Sequence, residues 1–497
     1  MRTSESPRKN TETGRLPQRV PRWKRLQRAL LLTLLAAVVA YFGGIFLAGA
    51  WMKHDLAALE DLIRARGEPL TLEELNAFYP EVPDAENAAL CYLKAGEVLA
   101  AVHNEQVYDP HRSNLESDLK GNDYTYEMLT QLKDYITERK PVFMILDEAL
   151  QLDKSRYPVD LSKLPRDFAA AYRTLRDIDR LLWLRGLNAL HADDWDTLVR
   201  AEQNLIHLAS SLAQVPDGGF QLQAQWCKGK ANDLVVWTIR TQRAPTSTYK
   251  ALDPLYAEID SRRSMRINTL ADRVLFAARV DAFYRNDPTL FREDDLSLFK
   301  KYRLYRSIPG FQTWGLIEKR NGMRFYTEML DDGEKPWRVI FARTVERNSF
   351  AEPFRFLEPV AEKLDLVDLE HYEPNDHSIF RIDGETIIRL TRIAMRVDAH
   401  RADRGAYPNS LDELEWTIHQ EIATGPYFDN PFGYRKTENG FALFDDSITP
   451  EHYSGMYANQ GEIEFVRETS PLPMKAADPK PAPGTLPSQF PGVRNSS

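Results

Sequence analysis

The stretch DRLLWLRGLNALHADDWDTLVRAEQNLIHLASSLA, residues 179 to 213, decides the fold class. Upstream and within it, Tyr172, Leu175, Leu182 and Leu190 share one helical face, with Ile178, Leu181, Leu184 and Leu187 beside them. Ala192-Asp193-Asp194 breaks the pattern, and Asp194 is placed to accept from the free amides of a new helix. Leu198, Ala201, Leu205, Leu208 and Leu212 then recur at spacings of 3, 4, 3 and 4, the period of an amphipathic helix and not of a strand. Pro216-Asp217-Gly218-Gly219 stops that helix, and a third is expected to carry Leu222, Trp226, Leu234 and Trp237. Breaks this short between amphipathic helices force antiparallel neighbours, so the middle of the chain is read as packed helical hairpins.

Working toward the start of the chain, residues 29 to 51, ALLLTLLAAVVAYFGGIFLAGAW, hold no charge. At ~1.5 Å per residue such a run spans the ~30 Å hydrocarbon layer of a bilayer. Trp51 and Lys53 close it with side chains that favour the interface. Residues 1 to 28 carry nine basic groups against Glu5 and Glu12, a net of +7. The sequence is therefore read as a basic cytoplasmic arm (1–28), a transmembrane helix (29–51) and an exported remainder, since positive flanks stay inside. Cleavage after Ala48-Gly49-Ala50 is the alternative, and the apolar run is longer than the ~7–15 residues of a signal core. The expected location is the inner membrane, single-pass, with the bilayer engaged through residues 29–51.

The whole chain has 497 residues and a net charge of −9, which leaves −16 for residues 52 to 497. A body of that balance repels phosphate backbones, so nucleic acid is not expected as a partner. Cys91 and Cys227 are the only cysteines, too few for a disulfide framework, and are expected as buried free thiols with a single pairing as the alternative.

After Trp51 the helical spacing continues through Leu56, Leu59 and Ile63 to Gly67, a C-terminal cap. Thr71-Leu72-Glu73-Glu74 reads as a capping box opening a short helix that ends before Pro80. Asp84 is expected to cap a helix with the stripe Leu90, Leu93, Ala95, Val98, Leu99 and Val102, and residues 105 to 123 read as a loop. Beyond residue 245, Pro254, Pro288, Pro309 and Pro336 interrupt the helical pattern. Arg262, Arg263, Arg266 and Arg273 read as helix-surface charge, with an anion-binding patch as the sharper alternative.

The C-terminal part has its own logic. Asp383 is expected to cap a helix with Ile387, Leu390, Ala394 and Val397 on one face, ending at Gly405. Tyr407 is held extended by Pro408. Ser410-Leu411-Asp412-Glu413 reads as a second capping box for a short helix with Leu411, Leu414 and Ile418. Residues 434–437 and 441–444 flank Asn439-Gly440 as a hairpin, and Tyr407, Phe432, Tyr434, Phe441 and Phe444 are expected to cover the end of the long helix. Seven prolines in residues 471 to 497 mark a segment expected to stay disordered.

Three resemblances follow from these residues. Residues 179–213 resemble a tetratricopeptide-type helical hairpin, over about one repeat and without the ~34-residue period. Gly405, Tyr407, Pro408, Leu411, Leu414, Pro431, Gly433, Tyr434, Gly440 and Phe441 resemble the C-terminal half of type II secretion pseudopilins, over about 60 residues. The chain departs from that family upstream: Arg28 precedes the apolar run, which contains no glutamate. Tyr79 to Tyr92 (YPEVPDAENAALCY), the helical middle and this tail together resemble uncharacterised single-pass envelope proteins of planctomycete-like bacteria.

No catalytic signature is found. HExxH, GxSxG, GxxxxGK[ST] and GxGxxG are all missing from the sequence. His371 and His377 with Glu373 and Asp376 sit in a Pro/Asn-containing stretch read as a solvated loop, and His191 and His207 read as helix-end and surface histidines. The acidic pairs at 193–194, 294–295, 331–332 and 445–446 read as caps and turns. No catalytic, cofactor or metal residues are assigned. The fold is expected to be mainly α, with a helical body over 52–380, a pseudopilin-like helix and β-hairpin over 381–450 and a Pro-rich tail over 451–497. The function expected is a non-catalytic envelope scaffold with a protein partner; a secretion-machine accessory and a hydrolase of envelope polymers or peptides are the alternatives.

Overall fold

A computed structural model describes residues 22–104, 126–161, 168–259, 261–285, 311–333, 374–414, 422–426, 430–444 and 462–466, with a few single positions between 287 and 339. Its helices are α1 (Arg22–Ala65), α2 (Leu72–Phe78), α3 (Ala88–Asn104), α4 (Tyr126–Glu138), α5 (Lys140–Ala149), α6 (Phe168–His191), α7 (Trp195–Leu212), α8 (Gly218–Thr241), α9 (Thr246–Ala257), α10 (Ser261–Arg285), α11 (Phe311–Asp332) and α12 (Pro374–Arg404). A small antiparallel sheet of order β1-β2-β3 follows, built from Gly433–Lys436, Gly440–Phe444 and Glu462–Val466. The chain is mostly helical, with one long apolar N-terminal helix.

The hairpin that opened the sequence forms as its spacing requires. The Asp194 carboxylate accepts from the Thr197 amide at 3.1 Å, and Leu198, Ala201, Leu205, Leu208 and Leu212 are wholly buried. Each of the four leucines contributes about 1.5–3 kcal/mol by leaving water. α8 stacks on both arms, and Gly186 of α6 lets Leu234 of α8 approach so closely that a β-carbon there would clash. The buried stripe of α8 is Phe220, Ala224, Cys227, Ala231, Leu234 and Val235, so the expected Leu222 lies on the exposed side. Residue 222 lies two positions after Phe220, about 200° round the helix, and so faces away from α6 and α7.

The N-terminal signals hold in part. Gly67 ends the first helical stretch with φ +69°, and the Thr71 capping box closes in both directions. Asp84 opens only a 3-10 turn. Asn87 caps α3 instead, because its Oδ1 accepts from the Ala89 amide at 3.1 Å and from the Arg156 amide at 2.9 Å. The α3 face that is fully buried is Ala88, Ala89, Tyr92, Ala95 and Leu99; Leu90, Leu93 and Val98 lie at its margin. Residues 105–125 lie outside the described residues.

Pro254 does not break α9. It sits in the last turn, where only the bond to the carbonyl four residues earlier is lost, and its own carbonyl accepts from Glu258. α12 begins at Pro374, nine residues before Asp383, so that aspartate is interior. Proline is tolerated at the first helical position, where an amide would be unpaired in any case.

The C-terminal unit docks through one carboxylate. Asp398 of α12 is wholly buried and accepts from Tyr249 Oη at 2.6 Å, Arg401 Nε at 2.6 Å, Arg401 Nη2 at 3.0 Å and Tyr407 Oη at 3.2 Å. Gly405, with φ +76°, turns the chain so that Tyr407 reaches back to it. Gln242, itself left-handed at the end of α8, donates to Tyr407 Oη and to the Asn439 carbonyl. Tyr407 also packs 5.2 Å from the buried Phe441. Ser410 makes no cap; the turn is only 3-10 over Leu411–Glu413, held by the Glu413 carboxylate on the Asn409 amide at 2.9 Å. Ile418 lies outside the described residues. Strand β3 falls in the segment expected as tail, pairing Phe441 with Phe465; the prolines beyond it lie outside the described residues.

Candidate functional site: the joint between the apolar helix and the body

α1 has two halves with opposite surroundings. Through residues 26 to 47 its large apolar side chains other than Ile45 stand bare, Leu30 at 69% and Phe46 at 75% exposed. From Met52 onward the same unbroken helix is covered: Met52, Leu56 and Ile63 are buried. Nothing kinks the rod between the halves, since Gly43-Gly44 stays helical and no proline intervenes.

The cover is α11, which runs parallel to α1 in constant register. A β-carbon at Gly49 would stand 3.1 Å from Thr313 Oγ1, Arg320 Nε donates to Asp55 at 2.6 Å, and Arg66 grips Asp331 through two nitrogens at 2.5 and 3.2 Å. α10 lies antiparallel on α11. Lys319 bonds Asp281 at 2.9 Å, and Gly315 and Gly322 admit the rings of Tyr284 and Phe276. The three helices enclose a small apolar cluster of their own, Leu56, Ile63, Ala277 and Met323, apart from the main core.

At the far end of this stem a buried ion pair locks the turn after α1. Glu68 accepts from Arg273 Nη1 at 2.8 Å and from Arg266 Nη2 at 3.0 Å; Arg273 also donates to Thr327 Oγ1 and the Pro69 carbonyl at 3.3 Å. Arg273 is 1% exposed and its Nε–H meets no acceptor among the described residues. Burial pulls the Arg273 guanidinium down from its ordinary range, and Glu68 opposes that. Nearer the apolar half, burial raises the Glu318 carboxyl to about 7, with Tyr284 Oη 3.3 Å away. These contacts fix the rotation and tilt of the body on the rod. They do not assemble a nucleophile, a base and an oxyanion donor.

Of the residues singled out from sequence, Arg266, Arg273 and Asp331 belong to this joint. The four arginines form no common surface: Arg273 is interior, Arg266 holds Glu68, and Arg262 donates to the carbonyls of Gly333 and Lys335 at 2.9 and 2.8 Å. Helix-surface charge is therefore the wrong description of Arg273. His207 is not a surface group either. Its Nε2 lies 3.1 Å from the Leu152 carbonyl, which can only accept, so Nδ1 is left to accept from Tyr92 Oη at 2.6 Å. Burial lowers the basicity of this ring, and it brings His191 to about 4. Cys91 and Cys227 are both free thiols, but only Cys227 is buried as expected, Cys91 being half-buried; burial pushes the Cys227 thiol well up, and Asp179 lies 3.8 Å away. Asp193-Asp194 and Asp331-Asp332 are turn and helix-end groups with ion or cap partners. His371 and Glu373 lie outside the described residues, while Asp376 and His377 fall in α12 and not in a loop. Among the described residues no group of three His, Cys, Asp or Glu is placed to hold a metal ion.

No protein-family model, curated protein or solved structure matches this chain. The joint itself was missed in the sequence. Its one local signal was Arg273 on the same face as Leu270, Val274 and Ala277, a charge on an apolar stripe that calls for a buried partner.

Proposed function

We propose that the chain is a membrane-anchored envelope protein whose helical body acts as a structural or protein-binding scaffold held at a fixed attitude to the bilayer. The single observation that supports this most is the continuity of α1: a bare apolar rod becomes, without a break, a core helix ion-paired to α11. A helix that served only as an export signal gains nothing from being built into the fold it delivers. The basic arm of residues 1–28 and the acidic remainder favour an orientation with the arm in the cytoplasm and the body beyond the inner membrane. The candidate polar groups serve internal contacts, which favours a scaffold over a hydrolase.

Crosslinking in intact membranes, followed by recovery through residues of the body, tests the role. A scaffold yields discrete protein adducts that disappear when the surface of α7–α9 is recharged. A body that gives no adducts, and that releases products from envelope polymers or peptides, contradicts it.

A further inference from the structure

We infer that the protein has a second membrane contact: the tip formed by the end of α10 and the start of α11 rests on the lipid headgroups beside α1. The inference rests on the membrane reading of α1 given above, and the register of the stem carries it further. Thr313 of α11 lies against Gly49, two residues before Trp51 closes the apolar run. The pairs Arg320–Asp55 and Arg66–Asp331 keep α11 in step with α1 along its length, so the first turn of α11 is level with the last turn of the apolar segment. Tyr284 packs its ring on Gly315, and Lys319 meets Asp281, which brings the last turn of α10 to the same level from the opposite direction. Whatever bilayer surrounds Phe46 and Leu47 therefore meets the ends of two further helices.

The chemistry at that level suits an interface. Trp51 is 59% exposed, with Arg320 stacked 6.0 Å over its ring, and Tyr284 is a second amphipathic aromatic. Lys53, His54 and Arg285 are exposed there. Among the described residues, the acids at this height are Asp55, held by Arg320, Asp281, held by Lys319, Glu318 beside Tyr284, and Asp287 just past the end of α10. Among the described residues, the exposed Lys53, His54 and Arg285 suit the phosphate of anionic phospholipids, to which basic groups near a bilayer surface are drawn.

The test uses the full chain in vesicles of phosphatidylcholine and phosphatidylglycerol containing lipids with a headgroup-level quencher. A polarity-sensitive fluorophore is attached at Phe46→Cys, Arg285→Cys or Met144→Cys in a Cys91→Ala background; Cys227 is buried and its raised thiol stays unlabelled. Position 46 lies in the apolar run and position 144 is exposed on α5. The expected result is a loss of fluorescence at 285 comparable to that at 46, no loss at 144, and a weaker loss at 285 when phosphatidylglycerol is omitted. If 46 is quenched while 285 behaves like 144, the tip does not touch lipid and this inference is overturned, leaving the anchor intact. If 46 itself is unquenched, the membrane reading fails first.

Discussion

Replacing Arg273 with Met removes one partner of the stem's buried ion pair and nothing else of similar size. Glu68 is 5% and Arg273 1% exposed by side chain, and their atoms meet at 2.8 Å. Glu68 would keep Arg266, which is 48% exposed and so compensates weakly. Thr327 and the Pro69 carbonyl lose a donor as well. Breaking such a pair from one side costs about 3–5 kcal/mol, whereas replacing both partners with shape-matched neutral groups is often neutral. With each kcal/mol moving Tm by about 2–4 °C in a domain of 150–250 residues, the single variant should lose on the order of 10 °C. The assay is a double-mutant cycle of Arg273→Met, Glu68→Gln and the pair, followed by thermal unfolding of the full chain in detergent micelles. The double variant should recover most of the loss. Singles that cost under about 1 kcal/mol, or that simply add, would refute the argument that this contact is desolvated and mutually dependent.

Other consequences can be checked alongside. Asp398→Ala strands the buried hydroxyl of Tyr249 and leaves Arg401 and Tyr407 without their shared acceptor, so about 3–5 kcal/mol should go and limited proteolysis should release the segment after Gly405. Gly322→Leu drives a side chain into the Phe276 ring, costing at least about 1–3 kcal/mol and loosening α10 from α11 in hydrogen exchange, while Gly43→Ala, which meets nothing, should leave exchange unchanged. Glu202 is wholly buried and its carboxyl is raised well above the ordinary range by burial. The folded state then binds the extra proton, so this group's contribution falls as pH rises from its unfolded pKa of about 4.3 toward the folded value. Glu202→Gln should flatten that fall, gaining on the wild type from mildly acidic to neutral pH in denaturant titrations; parallel curves would contradict it.

Legibility in the sequence tracked how local each cause is. α7 was readable because Asp194 and its leucines lie within 19 residues and state both the cap and the face. Gly405 and the turn to Tyr407 were readable because a left-handed glycine and a pre-proline tyrosine act through their own backbone. The stem was opaque because its determinants are pairwise and distant: Arg273 and Glu68 are 205 residues apart, and Arg320 and Asp55 are 265 apart. Helix starts failed where another residue had better geometry, as at Asn87 over Asp84, or where proline itself could begin the helix, as at Pro374. The acceptor role of Asp398 was hidden because its donors come from α9, from α12 and from the turn beyond it.

The most direct test of the anchored-rod account is thiol accessibility in intact membranes, comparing Phe46→Cys with Leu62→Cys on one continuous helix. Position 46 should resist a membrane-impermeant maleimide from both sides until detergent is added, and position 62 should react only from the side that holds the body. Reaction of both positions without detergent, or recovery of the body as a soluble polypeptide cut near Trp51, would contradict it.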